Sequence, residues 1–284
     1  MHEIKTIAVV GAGTMGQGII QMAGMAGFSC ILFDVNKDAL KKALDTIEKN
    51  LSKGIEKGKV TEEEKSQTLD AIHLVSDLDE VQADFIIEAI VEDLSIKRDV
   101  FSRLEAINAE STILASNTSS LPITRIAAGL ERPENIIGMH FFNPAHIMKL
   151  VEVIQGASTN PQVVETTMGL AKKMKKVPVL AKDSPGFIVN RVARHFYVES
   201  LKILEEQVAE VSTIDNLLKA SGFKMGPFEL MDLIGVDTNY SVTESMFESF
   251  HFDPKFRPSR IQQQKVDAGH HGRKSGKGFY SYED

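Results

Sequence analysis

The chain has 284 residues, with 39 acidic against 32 basic side chains and a net charge of −7 at neutral pH. This length suits two domains, and the acidic balance argues against general nucleic-acid binding, which usually needs a basic face. A single cysteine, Cys30, excludes an internal disulfide framework and a multi-cysteine metal site, so no bound metal is expected.

Three features of the sequence predict a cytoplasmic protein. The chain passes from Met-His-Glu directly into a β-branched run, without a secretory leader. Its apolar runs are all shorter than the roughly 18–20 residues that span a bilayer, so no membrane contact is expected. A lone thiol fits a reducing compartment. A transit peptide removed earlier would leave no trace in this sequence.

Apolar runs predict strands in the first two thirds of the chain, and amphipathic runs between most of them predict helices. The first run, 4–10, is almost entirely β-branched, as expected of a strand buried on both faces. Further strands are predicted at 30–34, 85–89, 112–116, 136–141, 150–154 and 177–181. Strands that alternate with helices predict a parallel α/β sheet covered on both faces.

The pattern changes after 182–186, which reads Lys-Asp-Ser-Pro-Gly. Downstream runs have helical spacing, with one short strand expected at 279–282, and the Gly, Lys and His at 269–278 predict a mobile basic loop. Pro and Gly between periodic segments are typical of a domain boundary. We therefore predict an α/β domain over 1–184 and an all-α domain over 185–284.

A glycine-rich turn, Gly11-Ala-Gly13-Thr-Met-Gly16, follows the first strand and opens a helix. Gly11 permits the tight turn, Gly13 lets a pyrophosphate approach the backbone, and Gly16 lets the helix pack on the strand. Asp34 is the last residue of the second predicted strand. In dinucleotide-binding folds, an acid at this position hydrogen-bonds a ribose 2′-hydroxyl. This context predicts a Rossmann-type, doubly wound sheet that binds NAD, against the alternative of a turn without a nucleotide. Asp34 favours NAD over NADP, and neighbouring Lys37 leaves the strictness of that preference open.

Two short apolar runs around an Asn-Pro turn hold a lone histidine, His140, and a lone glutamate, Glu152. An imidazole held against a carboxylate is a proton acceptor, and ligands of open α/β sheets bind beyond the strand C-termini. From spacing alone, a histidine satisfied by backbone and a surface-facing glutamate both remain open. No facing acid is evident for the other histidines, which lie in predicted ends, helices or loops, at positions 2, 73, 146, 195, 251, 270 and 271.

Three further polar groups each have a functional and an ordinary interpretation. Residues 117–120, Asn-Thr-Ser-Ser, form a polar turn directly after a predicted strand and either bind substrate or cap the next segment. Asn143 precedes a proline, so its backbone is extended, and its side chain either projects into a cleft or belongs to an ordinary turn. Lys49, Lys53 and Lys57 share one helix face, which is either solvated or binds a polyphosphate such as that of coenzyme A.

Taken together, seven motifs resemble the 3-hydroxyacyl-CoA dehydrogenase family: GAGTMG with Asp34, EAIVEDLSIK, ASNTSSLPI, GMHFFNP, KLVEVI, KDSPGFIVNR and RKSGKGFYSY. The resemblance covers essentially the whole chain and is closest to free-standing bacterial members acting on 3-hydroxybutyryl-CoA, without a hydratase domain. It implies NAD as cofactor, interconversion of 3-hydroxybutyryl-CoA and acetoacetyl-CoA, and a place in butyrate or fatty-acid metabolism. It also implies a homodimer whose contacts lie in the helical domain.

The resemblance further implies roles for individual residues. His140 is the general base towards the 3-hydroxyl, and Glu152 is its orienting carboxylate. Ser119 and Asn190 hydrogen-bond the substrate oxygens near the reacting carbon. The basic helix face matches the region that meets coenzyme A. Contacts to the cofactor are implied for Glu92, Lys97, Asn143 and Lys274.

Two other functions remain as alternatives. A short 3-hydroxyacid dehydrogenase also carries a glycine-rich N-terminal turn, but it uses a catalytic lysine in its helical half and acts on free acids. A catalytically silent NAD-binding protein is the other alternative, because a fold does not fix a function. His140, Glu152, Ser119 and Asn190 argue against a silent protein. Acyl-chain length, physiological direction and pathway stay open.

Overall fold

The computed structural model describes residues 3–282, and the chain divides into two compact units between Ser184 and Pro185. The first unit combines a β-sheet with helices, and the second consists mainly of helices.

Residues 3–184 contain one eight-stranded sheet. Its strands are β1 (Thr6–Val10), β2 (Ser29–Phe33), β3 (Ile72–Val75), β4 (Phe85–Glu88), β5 (Ile113–Ser116), β6 (Ile136–Phe141), β7 (Leu150–Gln155) and β8 (Val177–Lys182). Their order across the sheet is β3-β2-β1-β4-β5-β6-β7-β8, which is a doubly wound arrangement. With the helical second unit, this confirms the predicted fold class.

Helices cover the sheet and bury an apolar stripe against it. Those of the first unit are α1 (Thr14–Met25), α2 (Lys37–Glu56), α3 (Glu62–Asp70), α4 (Leu94–Ile107), α5 (Ile123–Ala127) and α6 (Pro161–Lys173). Helix α2 begins where the Asn36 side chain accepts hydrogen bonds from two backbone N–H groups. Its apolar residues recur at three- and four-residue steps, which places them on the buried face: Leu40, Ala43, Ile47 and Leu51.

The sheet departs from the predicted one in two respects. Strand β7 runs antiparallel to β6, although a parallel sheet was predicted throughout. The connection between them, 142–149, is too short for a crossover, which needs a dozen or more residues. Strand β3 was not predicted, and His73, expected in a helix or loop, lies on it. At four residues it is too short to show a clear period.

The second unit packs its helices around a small apolar core. The helices are α7 (Val189–Glu205), α8 (Val211–Ala220), α9 (Pro227–Ile234), α10 (Val236–Ser249) and α11 (Arg260–Asp267). This core includes Tyr197, Leu201, Ile214, Phe228 and Met231. The strand predicted at 279–282 does not form, and the described part of this tail has only isolated bridges. Nowhere in residues 3–282 is a helix both long and apolar enough to cross a membrane.

Contacts hold the segment 269–278, which was predicted to be a mobile loop. The carboxylate of Asp232 accepts hydrogen bonds from the backbone N–H groups of Phe279 and Tyr280, each at 2.9 Å. Gly272 packs so closely on Asp232 that a Cβ there would lie 2.3 Å from the Asp232 carbonyl oxygen. Gly272 and Gly278 therefore serve close packing against Asp232, and the segment is anchored at these two points.

Candidate active site

The glycine turn lies between β1 and α1 and is built by its backbone. Gly11 has φ +108°, and a Cβ at this position would lie 2.7 Å from the Ala89 carbonyl oxygen. A Cβ at Gly16 would lie 1.7 Å from the Gly11 carbonyl oxygen. At Gly13 a Cβ would meet open space. Gly13 is also the N-cap of α1 and gives it no side-chain cap, so the helix N-terminus offers its N–H groups to an anionic ligand.

Asp34 ties the end of β2 to the glycine turn. Its Oδ2 accepts a hydrogen bond from the Ala12 N–H at 2.8 Å, and its Oδ1 accepts one from the Asn36 N–H at 2.9 Å. The carboxylate is half-buried and each of its oxygens can accept a further bond. This position fits a ribose hydroxyl placed beside the turn.

A cleft of about 550 Å³ opens beside Asp34 and the turn. Its apolar side chains include Val35, Val91 and Ile96, which are exposed. Clustered exposed apolar side chains in a concave site are typical of a ligand pocket. The lining fits NAD: the turn would hold the pyrophosphate, Asp34 a ribose, and the apolar walls the adenine. The cleft is lined by Val10, Gly11, Gly13, Phe33, Asp34, Val35, Ala89, Ile90, Val91, Ile96 and Val100.

His140 and Glu152 are register partners across β6 and β7. His140 Nδ1 lies 2.8 Å from Glu152 Oε2, and both side chains are buried. A surface-facing glutamate is therefore wrong, and so is a histidine satisfied by backbone alone. The carboxylate thus takes up the Nδ1 side of the imidazole ring.

The competing histidines have no comparable arrangement among the residues described. His271 is the nearest case, with its Nδ1 3.8 Å from Asp237 Oδ2, beyond hydrogen-bond distance. His73 is exposed on the edge strand β3. His2 lies outside the described residues.

Parallel pairing brings the polar strand ends to one edge of the sheet. Strands β1, β4, β5 and β6 are parallel, so their carboxyl ends meet where ligands of open α/β sheets bind. The glycine turn follows β1 there, and His140 is the last residue but one of β6. Asn117 joins two of these ends, because its Oδ1 accepts a hydrogen bond from the Phe141 N–H at 2.9 Å. Asn143 is exposed in the adjacent turn and has a cis peptide bond to Pro144.

Glu92 binds the turn at 117–120. One of its oxygens, Oε1, accepts hydrogen bonds from the Thr118 hydroxyl at 2.5 Å and from the Ser119 N–H at 3.0 Å. Thr118 and Ser120 are buried, and Ser119 is half-buried. Burial opposes ionisation of Glu92, but the Lys97 ammonium and the Thr118 hydrogen bond outweigh it and hold the pKa of Glu92 below its ordinary value.

Sequence reasoning missed Glu88, at the end of β4. Lys97 Nζ lies 2.6 Å from Glu88 Oε1 and 3.2 Å from Glu92 Oε2, so one ammonium joins two carboxylates. Glu88 is a lone acid in the apolar run Phe-Ile-Ile-Glu. The same signal drew attention to Glu152, and it would have found Glu88 as well.

Lys176 is a second residue that sequence reasoning missed. Its Nζ donates to the carbonyl oxygens of Ala145 at 2.5 Å and Met148 at 2.9 Å. It thereby holds the 142–149 connection between the strands of His140 and Glu152. Burial lowers the pKa of Lys176 to about 8. No sequence signal identifies this lysine, because the carbonyl oxygens that it binds lie 31 and 28 residues earlier in the chain.

The remaining predicted residues are placed as follows. Lys49 and Lys53 lie on α2 and Lys57 caps its C-terminal end, and all three are exposed. Asn190 is half-buried in the first turn of α7. Lys274 lies in the second unit, with its Nζ 2.7 Å from an oxygen of Asp237. Roles for these residues remain predictions.

The fold, the turn and the acid beside it define a dinucleotide-binding protein. Residues 6–184 match the model of the 3-hydroxyacyl-CoA dehydrogenase NAD binding domain, and residues 186–282 match that of the 3-hydroxyacyl-CoA dehydrogenase C-terminal domain. The chain therefore belongs to the 3-hydroxyacyl-CoA dehydrogenase family. This confirms the predicted family and the NAD cofactor.

Similar proteins cover the chain almost completely. The 3-hydroxybutyryl-CoA dehydrogenase of Bradyrhizobium diazoefficiens is 41% identical over 98% of this chain and 96% of its own length. The 3-hydroxyadipyl-CoA dehydrogenase of Escherichia coli is 44% identical over 99% of this chain, which spans 60% of that protein's length. The crystal structure of (S)-3-hydroxybutyryl-CoA dehydrogenase from Ralstonia eutropha has a TM-score of 0.95 at 38% identity, covering 99% of this chain and 100% of that one.

Proposed function

We propose that this protein is an NAD-dependent (S)-3-hydroxyacyl-CoA dehydrogenase that interconverts 3-hydroxybutyryl-CoA and acetoacetyl-CoA. The observation that carries the proposal is the buried His140–Glu152 pair, with 2.8 Å between Nδ1 and Oε2, on the sheet that also carries the glycine turn. A dinucleotide turn and a positioned acid–base pair are the two parts that an alcohol dehydrogenase needs.

His140 handles the proton of the reaction. In the oxidative direction its Nε2 accepts the proton of the substrate 3-hydroxyl while C3 loses a hydride, and the Glu152 carboxylate stabilises the imidazolium that forms. In the reductive direction the protonated imidazole returns that proton to the oxygen on C3. NAD, when bound, supplies the nicotinamide ring that accepts or donates the hydride. A buried carboxylate at 2.8 Å also fixes the ring orientation of His140.

Other residues bind and orient the substrate and cofactor. Ser119 and Asn190 hydrogen-bond the oxygens near C3, and Asn143, Glu92, Lys97 and Lys274 contact the cofactor. Ser119 is supported by its position, because it follows the carboxyl end of β5 and its N–H is held by Glu92. The exposed Lys49, Lys53 and Lys57 receive the phosphates of coenzyme A.

The helical second unit closes over the thioester and forms a homodimer. Closure by a second domain excludes water from the reacting centre. We place the protein in the cytoplasm, acting in butyrate or fatty-acid metabolism. Light scattering of the purified protein tests the dimer: a mass of twice 31.3 kDa is expected, and a monomer would contradict it.

The proposed reaction is tested by following nicotinamide absorbance when the purified protein is mixed with NADH and acetoacetyl-CoA. Parallel reactions contain NADPH in place of NADH, and free acetoacetate in place of the thioester. Rapid oxidation of NADH with the thioester alone is the expected result. Turnover of free acetoacetate would favour a short 3-hydroxyacid dehydrogenase. A protein that binds NADH without any turnover would be a silent NAD-binding protein.

A further inference from the structure

Glu88 carries a buried negative charge for which the proposed reaction gives no role. Its side chain is 0% exposed at the end of β4. Oε1 accepts hydrogen bonds from Lys97 Nζ at 2.6 Å and from the Ile90 N–H at 2.8 Å, and Oε2 accepts one from the Ser116 hydroxyl at 2.6 Å. Burying a carboxylate is costly unless such partners are present. These partners offset that cost, and they join the end of β4 to the loop after it, to α4 and to β5.

The same contacts fix one wall of the cofactor cleft. The wall includes Ala89, Ile90 and Val91, which directly follow Glu88 in the chain. The bond from the Ile90 N–H to Glu88 turns this loop back on its own strand. The Ala89 carbonyl oxygen then lies so close to Gly11 that a Cβ there would approach it to 2.7 Å. The glycine turn and the loop after β4 are thus packed against each other at the position that Glu88 sets.

Through Lys97, the charge of Glu88 also acts on Glu92, which directly follows Val91 of the cleft wall in the chain. Lys97 is only 1% exposed, and its Nζ lies between Glu88 and Glu92. The Glu92 side chain is 37% exposed, so Glu92 is the most accessible member of this group. Lys97 forms an ion pair with Glu92 Oε2, and Glu92 Oε1 accepts hydrogen bonds from the Thr118 hydroxyl and the Ser119 N–H. The contact with Glu88 fixes the position of the Lys97 ammonium, and the ammonium in turn orients the Glu92 carboxylate.

We propose that Glu88 is a positioning residue for the cofactor: it holds the loop after β4 and the Lys97 ammonium, and through Lys97 the Glu92 carboxylate, in the geometry that binds NAD. The inference deepens the proposed function and rests on it for the identity of the ligand. Glu88 has no contact with the reacting atoms in this account. It acts by setting the shape and charge of the cleft before NAD binds.

The test is the dissociation constant of NADH, measured by fluorescence titration of purified Glu88→Gln. Glutamine keeps the size of the side chain but removes the charge, so Lys97 is left with Glu92 as its counter-charge. NADH should bind about tenfold more weakly, as expected for losing one buried charged hydrogen bond. With acetoacetyl-CoA as substrate, KM for NADH should rise by a similar factor while kcat at saturating NADH stays within about twofold, because binding alone is weakened.

Two further variants separate positioning from general destabilisation. Glu105→Gln removes another buried carboxylate of the first unit, whose oxygens accept the backbone N–H groups of Glu131 and Arg132. It should leave NADH binding unchanged. Glu88→Asp keeps the charge and should bind NADH more tightly than Glu88→Gln. Thermal unfolding of each variant checks that the compared proteins are folded.

The proposal is overturned if Glu88→Gln binds NADH within twofold of the unaltered protein, or if Glu105→Gln loses as much affinity. If Glu88→Gln does not fold, Ser116→Ala replaces it. This variant removes one donor to Glu88 Oε2 while keeping every charge, and NADH should bind about threefold more weakly. Unchanged affinity in Ser116→Ala would then overturn the proposal. Because NADH binding is read directly, absence of turnover counts against the proposed reaction and leaves this test intact.

Discussion

His140 and Glu152 face each other across the antiparallel pair β6 and β7, with Nδ1 and Oε2 2.8 Å apart. Side chains alternate between the two faces of a sheet, so a slip of one residue in either strand would place the two groups on opposite faces. The strand register is therefore what holds this pair together. Buried apolar residues on both sides of each group, such as Met139 and Val153, make such a slip costly.

Glu152→Gln should lower kcat by about a hundredfold or more, because an amide cannot stabilise the imidazolium of His140 as a carboxylate does. KM for NADH should change little. The measurement is steady-state reduction of acetoacetyl-CoA, with the exposed Glu165→Gln on α6 as the matched control. Full activity in Glu152→Gln would make this carboxylate structural.

Asp34→Asn should narrow the preference for NADH over NADPH. The amide keeps an acceptor for the Ala12 N–H but removes the negative charge that repels a 2′-phosphate. We expect the ratio of kcat/KM for the two cofactors to fall about tenfold. Both cofactors are assayed with the same thioester. An unchanged ratio would show that this charge does not select the cofactor.

Changing Lys49, Lys53 and Lys57 together to Glu should raise KM for acetoacetyl-CoA about tenfold, because three exposed positive charges become negative. The difference should shrink at high salt. Acetoacetyl-pantetheine, which lacks the nucleotide phosphates, should show no comparable loss.

The control for this charge reversal is the same change at Lys172, Lys173 and Lys175, which are exposed at the end of α6. It alters the net charge equally and should leave KM unaffected. If both triple variants behave alike, the α2 face is only a solvated helix face.

Lys176 should make the stability of the protein depend on pH in alkaline solution. Burial lowers its pKa from 10.5 to about 8, so the native protein releases this proton at a lower pH than the unfolded chain. Between these two values unfolding takes up a proton, and the free energy of unfolding rises with pH on account of this group. Below the native value both states are protonated and the dependence vanishes.

The measurement is urea unfolding of the unaltered protein and of Lys176→Met at several pH values from 7 to 11. The difference in unfolding free energy, unaltered minus variant, should rise across the window by at most about 1.4 kcal/mol per pH unit. Neighbouring Lys175 is exposed, so Lys175→Met should give a flat difference. A flat difference for Lys176→Met as well would contradict the burial argument.

Local patterns in the sequence were enough to predict seven of the eight strands and the glycine turn, and they offered the pairing of His140 with Glu152 as one of the interpretations left open. Each depends on a strand period or on a turn that only glycine can make. The antiparallel direction of β7 was missed, although the short connection at 142–149 already excludes a crossover.

Other features depend on contacts between distant segments. Lys176 holds carbonyl oxygens 28 and 31 residues away in the chain, and no local pattern encodes that. Glu88 could be predicted only in part. A lone acid in an apolar strand is unusual and visible in the sequence, but its pairing with Lys97 requires α4 to pack against β4. Gly272 was predicted to lie in a mobile loop. The residue that it packs against, Asp232, is far away in the sequence, so no local pattern shows this contact.

The most direct test of the proposed chemistry is kcat of His140→Gln with NADH and acetoacetyl-CoA, measured beside the exposed control His73→Gln. Our account predicts a loss of about 10²–10⁴ in kcat, with the dissociation constant of NADH within twofold of the unaltered protein and full activity in the control. A His140→Gln variant that reduces acetoacetyl-CoA at a nearly normal rate would remove His140 from the mechanism and contradict the account.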